Sequence, residues 1–312
     1  MIVAVTGGSG FIGKRLVERL VERGDTVRLL TRSSALPENF PLLEIHQCDL
    51  VMTSVDKLSS ILDGVDVLYH CAGQLTDKQA MRALHVDATR KLVEAASRRI
   101  KHWVQLSSVG VYGPVHQGAI DEDSANNPVG EYEITKAESD KIVFEGAERA
   151  GFSYSILRPS NVFGARMNNR SLFKMVSMID RGWFFYIGNP GASANYIHVD
   201  NVAEGLIRCG TMGAARGRTF NLSDHRTLEQ FVGVIAKELG RSAPRLRIPL
   251  SVAHLIGATL GRMPGFPLTR SRIAALTNRS IYPISHIQQE LGYRHVITME
   301  DGLRELVRAY QQ

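Results

Sequence analysis

Short apolar runs and longer amphipathic stretches take turns along the first half of the chain. Residues 2–6 read as a brief strand, and residues 11–23 carry Ile12, Leu16 and Leu20 at helical spacing before Gly24 and Asp25 stop the helix. The same reasoning predicts strands at 26–31, 43–47, 65–70, 102–107 and 153–158, with helices at 78–99 and 131–149. Strands alternating with helices predict an α/β fold: a doubly wound parallel sheet with helices on both faces. After Arg158 the rhythm breaks. Helical stretches at 172–181, 202–209, 228–239, 252–260 and 299–310 are joined by Gly- and Pro-containing loops, with short strands at 196–199 and 219–222. The expected organisation is a dinucleotide-binding domain over 1–159 and a smaller, irregular substrate region over 160–312, of which 195–222 returns towards the sheet.

The first strand runs into "TGGSGFIG". Glycine tolerates the angles of a tight turn and removes side chains that would block a ligand's approach. The N-terminus of the following helix offers unsatisfied N–H groups to an anion. Gly7, Gly8 and Gly10 are expected to form the turn, and Gly13 to let the helix pack close. A glycine turn between a first strand and a first helix predicts a dinucleotide diphosphate at Gly7, Gly8, Gly10, Phe11, Ile12 and Gly13. A site for NAD(H) commonly has an acid at the end of the second strand. Here "VRLLTRSS" offers Thr31 and Arg32 instead, so a guanidinium that forks onto a 2′-phosphate favours NADP(H) over NAD(H). Asp49, beside Leu50 in "CDL", is a candidate acceptor for the adenine amino group.

Composition alters this picture little. The 312 residues are 44% hydrophobic, enough for a packed core, and the net charge is +6. No basic run interleaved with aromatics suggests nucleic acid, and a mild positive bias suits an anionic substrate. Cys48, Cys71 and Cys209 are spaced like no zinc motif and read as free thiols in a reducing compartment, with no metal expected. No apolar run approaches the ~20 residues of a membrane span, and residues 2–5 already read as strand rather than leader. A cytoplasmic protein without a membrane partner is the expectation.

Two further stretches carry chemistry. Tyr132 and Lys136 in "EYEITKAESDK" stand four apart, on one helical face. An ammonium near a phenol is expected to lower the phenol's pKa, which makes Tyr132 a candidate acid/base for an alcohol–carbonyl pair. Ser108, at the end of the fifth strand in "VQLSSVGVYG", is the candidate to bind the substrate oxygen.

The motifs "TGGSGFIG", "HCAG", "LSSVGVYG", "YEITK", "LRPSNVFG" and "YIHVDNVAEG", in this order, resemble the extended short-chain dehydrogenases/reductases, the group of NAD(P)-dependent sugar-nucleotide epimerases and dehydratases. The resemblance covers residues 1 to about 210, with "ELGY" fitting near the end, and it implies a Rossmann sheet. It implies that Gly7, Gly10 and Gly13 bind the cofactor diphosphate, that Ala72 and Gly73 line the adenosine side, and that Pro159 lies by the nicotinamide. Ser108, Tyr132 and Lys136 become the catalytic set, with Lys136 also holding the nicotinamide ribose; Ser107 is left as a strand-end partner. Relatives pair as homodimers through the helix after the fifth strand and the long helix before it, and Leu84, Leu92 and Val143 are apolar candidates for that contact.

The substrate is less defined. Asn161 matches an asparagine that sugar-nucleotide enzymes use near the substrate diphosphate, and Arg279 stands where such enzymes offer a second phosphate contact. Ala194 and Asn195 stand where many of them carry an arginine, and His85 and Asp87 in "HVDAT" depart from the usual Asn-Val-x-Gly-Thr. Three readings follow: an oxidoreductase or epimerase on a nucleotide sugar, which Asn161 favours; a hydroxysteroid- or dihydroflavonol-type dehydrogenase on an apolar alcohol; and a cofactor-binding regulator without turnover, which the intact Ser108, Tyr132 and Lys136 oppose.

Overall fold

The structure is a computed structural model that describes residues 1–33, 41–167, 170–259 and 269–312. In chain order the main elements of the first half are β1 (Ile2–Thr6), α1 (Phe11–Glu22), β2 (Thr26–Thr31), β3 (Leu43–Gln47), α2 (Val55–Leu62), β4 (Val65–His70), α3 (Lys78–Arg82), α4 (Ala88–Ala96), β5 (Ile100–Leu106), β6 (Gln117–Ala119), α5 (Glu131–Ala150) and β7 (Ser153–Pro159). They continue with β8 (Asn161–Phe163), α6 (Ser171–Asp180), β9 (Tyr186–Ile187), β10 (Ser193–His198), α7 (Val199–Thr211), β11 (Arg218–Leu222), β12 (Asp224–Thr227), α8 (Leu228–Glu238), β13 (Arg247–Ile248), α9 (Leu250–Thr259), α10 (Arg270–Thr277), β14 (Arg279–Ile281), α11 (Ser285–Leu291) and α12 (Met299–Gln311).

Seven parallel strands form the central sheet in the order β11-β7-β5-β4-β1-β2-β3. The order reverses between β1 and β4, which opens a crevice at the carboxyl ends of those strands. One apolar layer, with Leu16, Leu20, Val202, Leu206 and Phe220, fills the face under α1 and α7. A second, with Leu58, Leu92, Trp103, Val143 and Phe152, fills the face under α2, α4 and α5. A third cluster holds α6, α8 and α12 together beyond the sheet. The sheet takes its outermost strand, β11, from beyond residue 159, in register with β7.

Several expectations are revised. Helix α2 was not anticipated; Ser54 caps it by accepting from the Lys57 N–H, and its alternating polar residues hide a short apolar face. The predicted 78–99 helix is α3 and α4 joined by a π turn at Ala83–Asp87 and ends at Ala96. It ends because the chain turns at Arg98, whose φ is +56°, so that the Arg98 N–H reaches the Ala150 carbonyl at 2.9 Å. α10 and α11 likewise lie outside the predicted helices. Leu92 and Val143, offered as surplus apolar surface for a partner subunit, are fully buried where α4 packs on α5 inside the chain's own core. The same close packing explains Gly146, where a Cβ would stand 2.5 Å from Val93 Cγ1.

Candidate active site

The glycine turn lies at the switch point. Gly7 has φ +69°, and a Cβ there would stand 2.6 Å from the Ala72 backbone in the loop after β4. A Cβ at Gly13 would stand 2.2 Å from the Gly7 carbonyl oxygen, so α1 begins directly against the turn. Gly8 answers to packing: its Cβ would meet Leu29 Cδ1 at 2.3 Å. The Gly10 N–H donates to the Gly7 carbonyl at 3.0 Å. No side chain caps α1 and no acid stands in its first turn, so its opening N–H groups at Phe11, Ile12 and Gly13 are available to an anion. These features fit a dinucleotide diphosphate.

Around this cradle, the Ala72 N–H lies 3.3 Å from Thr6 Oγ1 and Gly73 is exposed. Arg32 stands exposed just after β2, and Thr31 Oγ1 accepts from the Ser33 N–H at 3.1 Å. Asp49 Oδ1 accepts from the Val51 N–H at 2.8 Å, which fixes the turn that follows β3, and Leu50 is buried beside it. Pro159 is buried at the end of β7, level with Leu222.

Ser108, Tyr132 and Lys136 come together at the carboxyl end of β5 and the start of α5. Ser108 Oγ accepts from the Gly110 N–H at 3.1 Å. The expected lowering of the Tyr132 pKa does not occur. Burial, with the charges of Glu133 and Asp140, pushes the phenol up to about 12, opposed by the nearby Ser108 hydroxyl. The Lys136 ammonium donates to the Leu106 carbonyl at the end of β5. Burial pushes Lys136 down, against the attraction of Asp140 and Cys71.

Buried partners beyond the predicted residues support this set. Asp140, one turn beyond Lys136, accepts from Ser107 Oγ at 2.7 Å and from Arg158 Nη2 at 3.3 Å, all three buried. Burial pushes the Asp140 carboxyl up, while Arg158, Lys136 and Ser107 pull it down. The Arg158 guanidinium also lies 5.0 Å from the centre of the Tyr112 ring. The i, i+4 spacing of Lys136 and Asp140 was the available signal. His85, a departure from the family pattern, has a definite role. Its Nε2 accepts from the Gln74 N–H at 2.9 Å, which leaves the ring proton on Nδ1, 2.8 Å from Thr135 Oγ1. Thr135 in turn donates to the Glu131 carbonyl at 2.8 Å. Neutral His85 thereby ties the loop after β4 to the first turn of α5, and its ring meets that of Tyr132 edge-on at 5.7 Å.

Asn161 and Arg279 are each engaged by backbone carbonyls. The exposed Asn161 amide donates to the Asn195 carbonyl at 3.2 Å. Arg279 donates to the carbonyls of Asn189 and Pro190 at 3.0 and 2.7 Å, clamping that turn. The two regions are linked through Asn195, whose side chain donates to the Ser280 carbonyl at 2.8 Å. Ala194 is buried. All three cysteines are free thiols.

Comparison with known proteins shows the family. Residues 3–223 match the model of the NAD dependent epimerase/dehydratase family. The chain is 27% identical over 321 residues to a 4-hydroxy-2-methyl-3-oxo-4-farnesyl-3,4-dihydroquinoline-1-oxide ketoreductase of Stigmatella aurantiaca, covering 98% of this chain and 95% of that protein. It is 26% identical to a 3 beta-hydroxysteroid dehydrogenase/Delta 5-->4-isomerase of Mycobacterium tuberculosis, covering 99% and 90%. The crystal structure of UDP-glucuronic acid 4-epimerase from Bacillus cereus in complex with NAD superposes with a TM-score of 0.78 at 19% identity, covering 100% and 99%, which establishes the shared fold. With its glycine turn at the switch point of a seven-stranded parallel sheet, and the family match running through β11, the chain belongs to the NAD-dependent epimerase/dehydratase family of extended short-chain dehydrogenases/reductases, a family of enzymes.

Proposed function

We propose that this enzyme is an NAD(P)-dependent ketoreductase or dehydrogenase acting on a ring ketone, or the matching secondary alcohol, of a bulky apolar molecule. The observation that carries the substrate class is Arg279. The cation expected to grip a substrate diphosphate is engaged by two backbone carbonyls, and the neighbouring position that could supply another is the buried Ala194. The two curated relatives described above, named for a farnesylated quinoline ketone and a hydroxysteroid, support the same class.

Tyr132 is the residue for the proton transfer. With its pKa pushed up to about 12, the phenol carries its proton at neutral pH and is set to donate it. When bound, the reduced nicotinamide supplies the hydride that adds to the carbonyl carbon. Tyr132 then gives its proton to the carbonyl oxygen as negative charge develops there, and Ser108 stabilises the same oxygen by a hydrogen bond. Lys136, anchored on the Leu106 carbonyl, fixes the floor of the site and is the residue for the nicotinamide ribose. Arg32 favours NADP(H), with NAD(H) as the alternative.

A second reading keeps the nucleotide sugar. It is favoured by the exposed amide of Asn161, two residues beyond Pro159. One experiment separates the two. With NADPH present, a thermal-shift panel sets 3-ketosteroids and prenylated quinolones against UDP-, dTDP- and GDP-sugars, followed by turnover of each ligand that binds. Apolar ketones are expected to raise the melting temperature and to be reduced, with nucleotide sugars neither binding nor competing. A nucleotide sugar that binds, and whose Michaelis constant rises about tenfold in Arg279→Ala, ~1.4 kcal/mol of lost binding, overturns the apolar reading.

A further inference from the structure

The positive charge of this chain is concentrated in one segment. From Leu239 to Gln289 there is no Asp or Glu, yet there are seven arginines. The chain's net charge is +6, so the remainder carries −1. Arg262 of this set lies outside the described residues. The segment contains α9, "LSVAHLIGAT", a helix without Asp, Glu, Lys or Arg, whose polar side chains are Ser251, His254 and Thr259. A helix this apolar is ordinarily mostly buried. α9 buries Ala253 and Gly257, with Ala253 packed on Ile187 of β9 and Ile273 of α10. Leu250, Val252 and Leu255 remain exposed, Leu255 at 68%.

The neighbouring elements continue the apolar surface. Leu246, 63% exposed, immediately precedes β13, and its carbonyl accepts from the Tyr186 N–H at 2.9 Å. β13 pairs with β9, and Trp183, 65% exposed, leads into β9. One ribbon and the helix packed on it thus carry Trp183, Leu246, Leu250, Val252 and Leu255 to the surface. Arginines accompany them. Arg181 lies over the Trp183 ring at 5.5 Å, and Arg245 and Arg270 are exposed. Nearby acids are already matched: Asp180 with Arg241 at 3.1 Å and Glu229 with Arg247 at 2.7 Å. Apolar side chains and a tryptophan among arginines, with the acids beside them ion-paired, complement the headgroup and acyl boundary of an anionic bilayer.

We propose that the protein docks peripherally on anionic phospholipid membranes through α9 and the β9–β13 ribbon. Among the described residues no helix is long and apolar enough to cross a membrane, so the contact lies in the interface plane. A surface of this kind gives an apolar substrate a short path from lipid to enzyme, but the docking proposal stands on its own readouts. It can fail while the apolar-ketone reading holds, and the reverse.

The test uses the full chain and its two tryptophans. Trp103 is 0% exposed, so Trp183 is the reporter of a surface event. On vesicles of phosphatidylcholine with phosphatidylglycerol, the emission is expected to shift to the blue and the protein to float with the lipid. Phosphatidylcholine alone gives neither response, and Trp183→Phe abolishes the shift but not flotation. Leu255→Asp, at an exposed position where the fold tolerates charge, is expected to weaken vesicle binding about tenfold, as are Arg245→Glu and Arg270→Glu together. An unchanged melting curve is the folding control. Equal binding to neutral vesicles, or none to anionic ones, overturns the proposal. So does self-association that Leu255→Asp disrupts without lipid, which would make the face an interface between copies.

Discussion

Tyr132 is the residue at which chemistry and environment diverge most. Its spacing to Lys136 suggests a lowered pKa, whereas burial in the folded chain pushes it up to about 12. Ketone reduction needs the protonated phenol and alcohol oxidation the phenolate. The kcat/KM for reduction is therefore expected to stay flat from about pH 6 to 9, while that for oxidation climbs close to tenfold per unit. Tyr132→Phe is expected to lower the chemical step by about 10²–10⁴-fold with cofactor affinity little changed. Reduction that already declines near neutrality, or a variant with near-normal turnover, rules out this acid. Arg32 makes a second claim at this scale. A charge-assisted bond to a 2′-phosphate is worth ~1.5–3 kcal/mol, so Arg32→Ala should weaken NADPH by about tenfold or more and leave NADH alone. Titration of both cofactors decides it, and equal weakening of the two makes Arg32 an ordinary surface residue.

At the scale of elements, β4, the α3–α4 segment and α5 are joined by neutral histidines. His70 bonds Thr6 Oγ1 at 2.7 Å and Thr89 Oγ1 at 3.1 Å, while His85 joins Gln74 to Thr135. Burial pushes both imidazoles down to about 3. The unfolded chain therefore binds these protons first. Their contribution to stability is complete above the ordinary histidine pKa of ~6.5 and is lost as pH falls towards about 3. Each contributes a slope of ~1.4 kcal/mol per pH unit in that window. Denaturant unfolding between about pH 7 and 5 should show the loss, and His85→Asn should reduce the slope. A stability that is level over this range would mean that the histidines are not held neutral by the fold. The sequence exposed His85 only as a departure from a motif; its tautomer and partners required α5 to be folded against the loop after β4.

At the scale of the molecule, the family resemblance implies a homodimer through α4 and α5. The structure withdraws Leu92 and Val143 from that contact but leaves Phe144 of α5 at the surface, edge-on to Tyr154 at 5.7 Å. Light scattering at micromolar concentration is expected to return twice 34.5 kDa, and Phe144→Glu to return the monomer. A wild-type mass of 34.5 kDa contradicts the dimer.

Local pattern by itself determined most of the sheet: β1, β2, β3 and β4 begin and end where apolar runs and Gly or Asp stops predict. It also located the glycine turn and the Tyr132 and Lys136 pair, because turn geometry and helical spacing are properties of neighbouring residues; the family resemblance joined Ser108 to that pair as the expected catalytic set. Tertiary structure decided the rest. Asp140 meets Arg158 only when α5 lies against β7, Leu92 is core only because α5 covers it, and Arg279 is engaged only because the 189–190 turn folds back on β14. Burial, and with it the proton on Tyr132, depends on atoms distant in sequence. That is why the motifs point to candidate reacting groups while their protonation belongs to the folded chain.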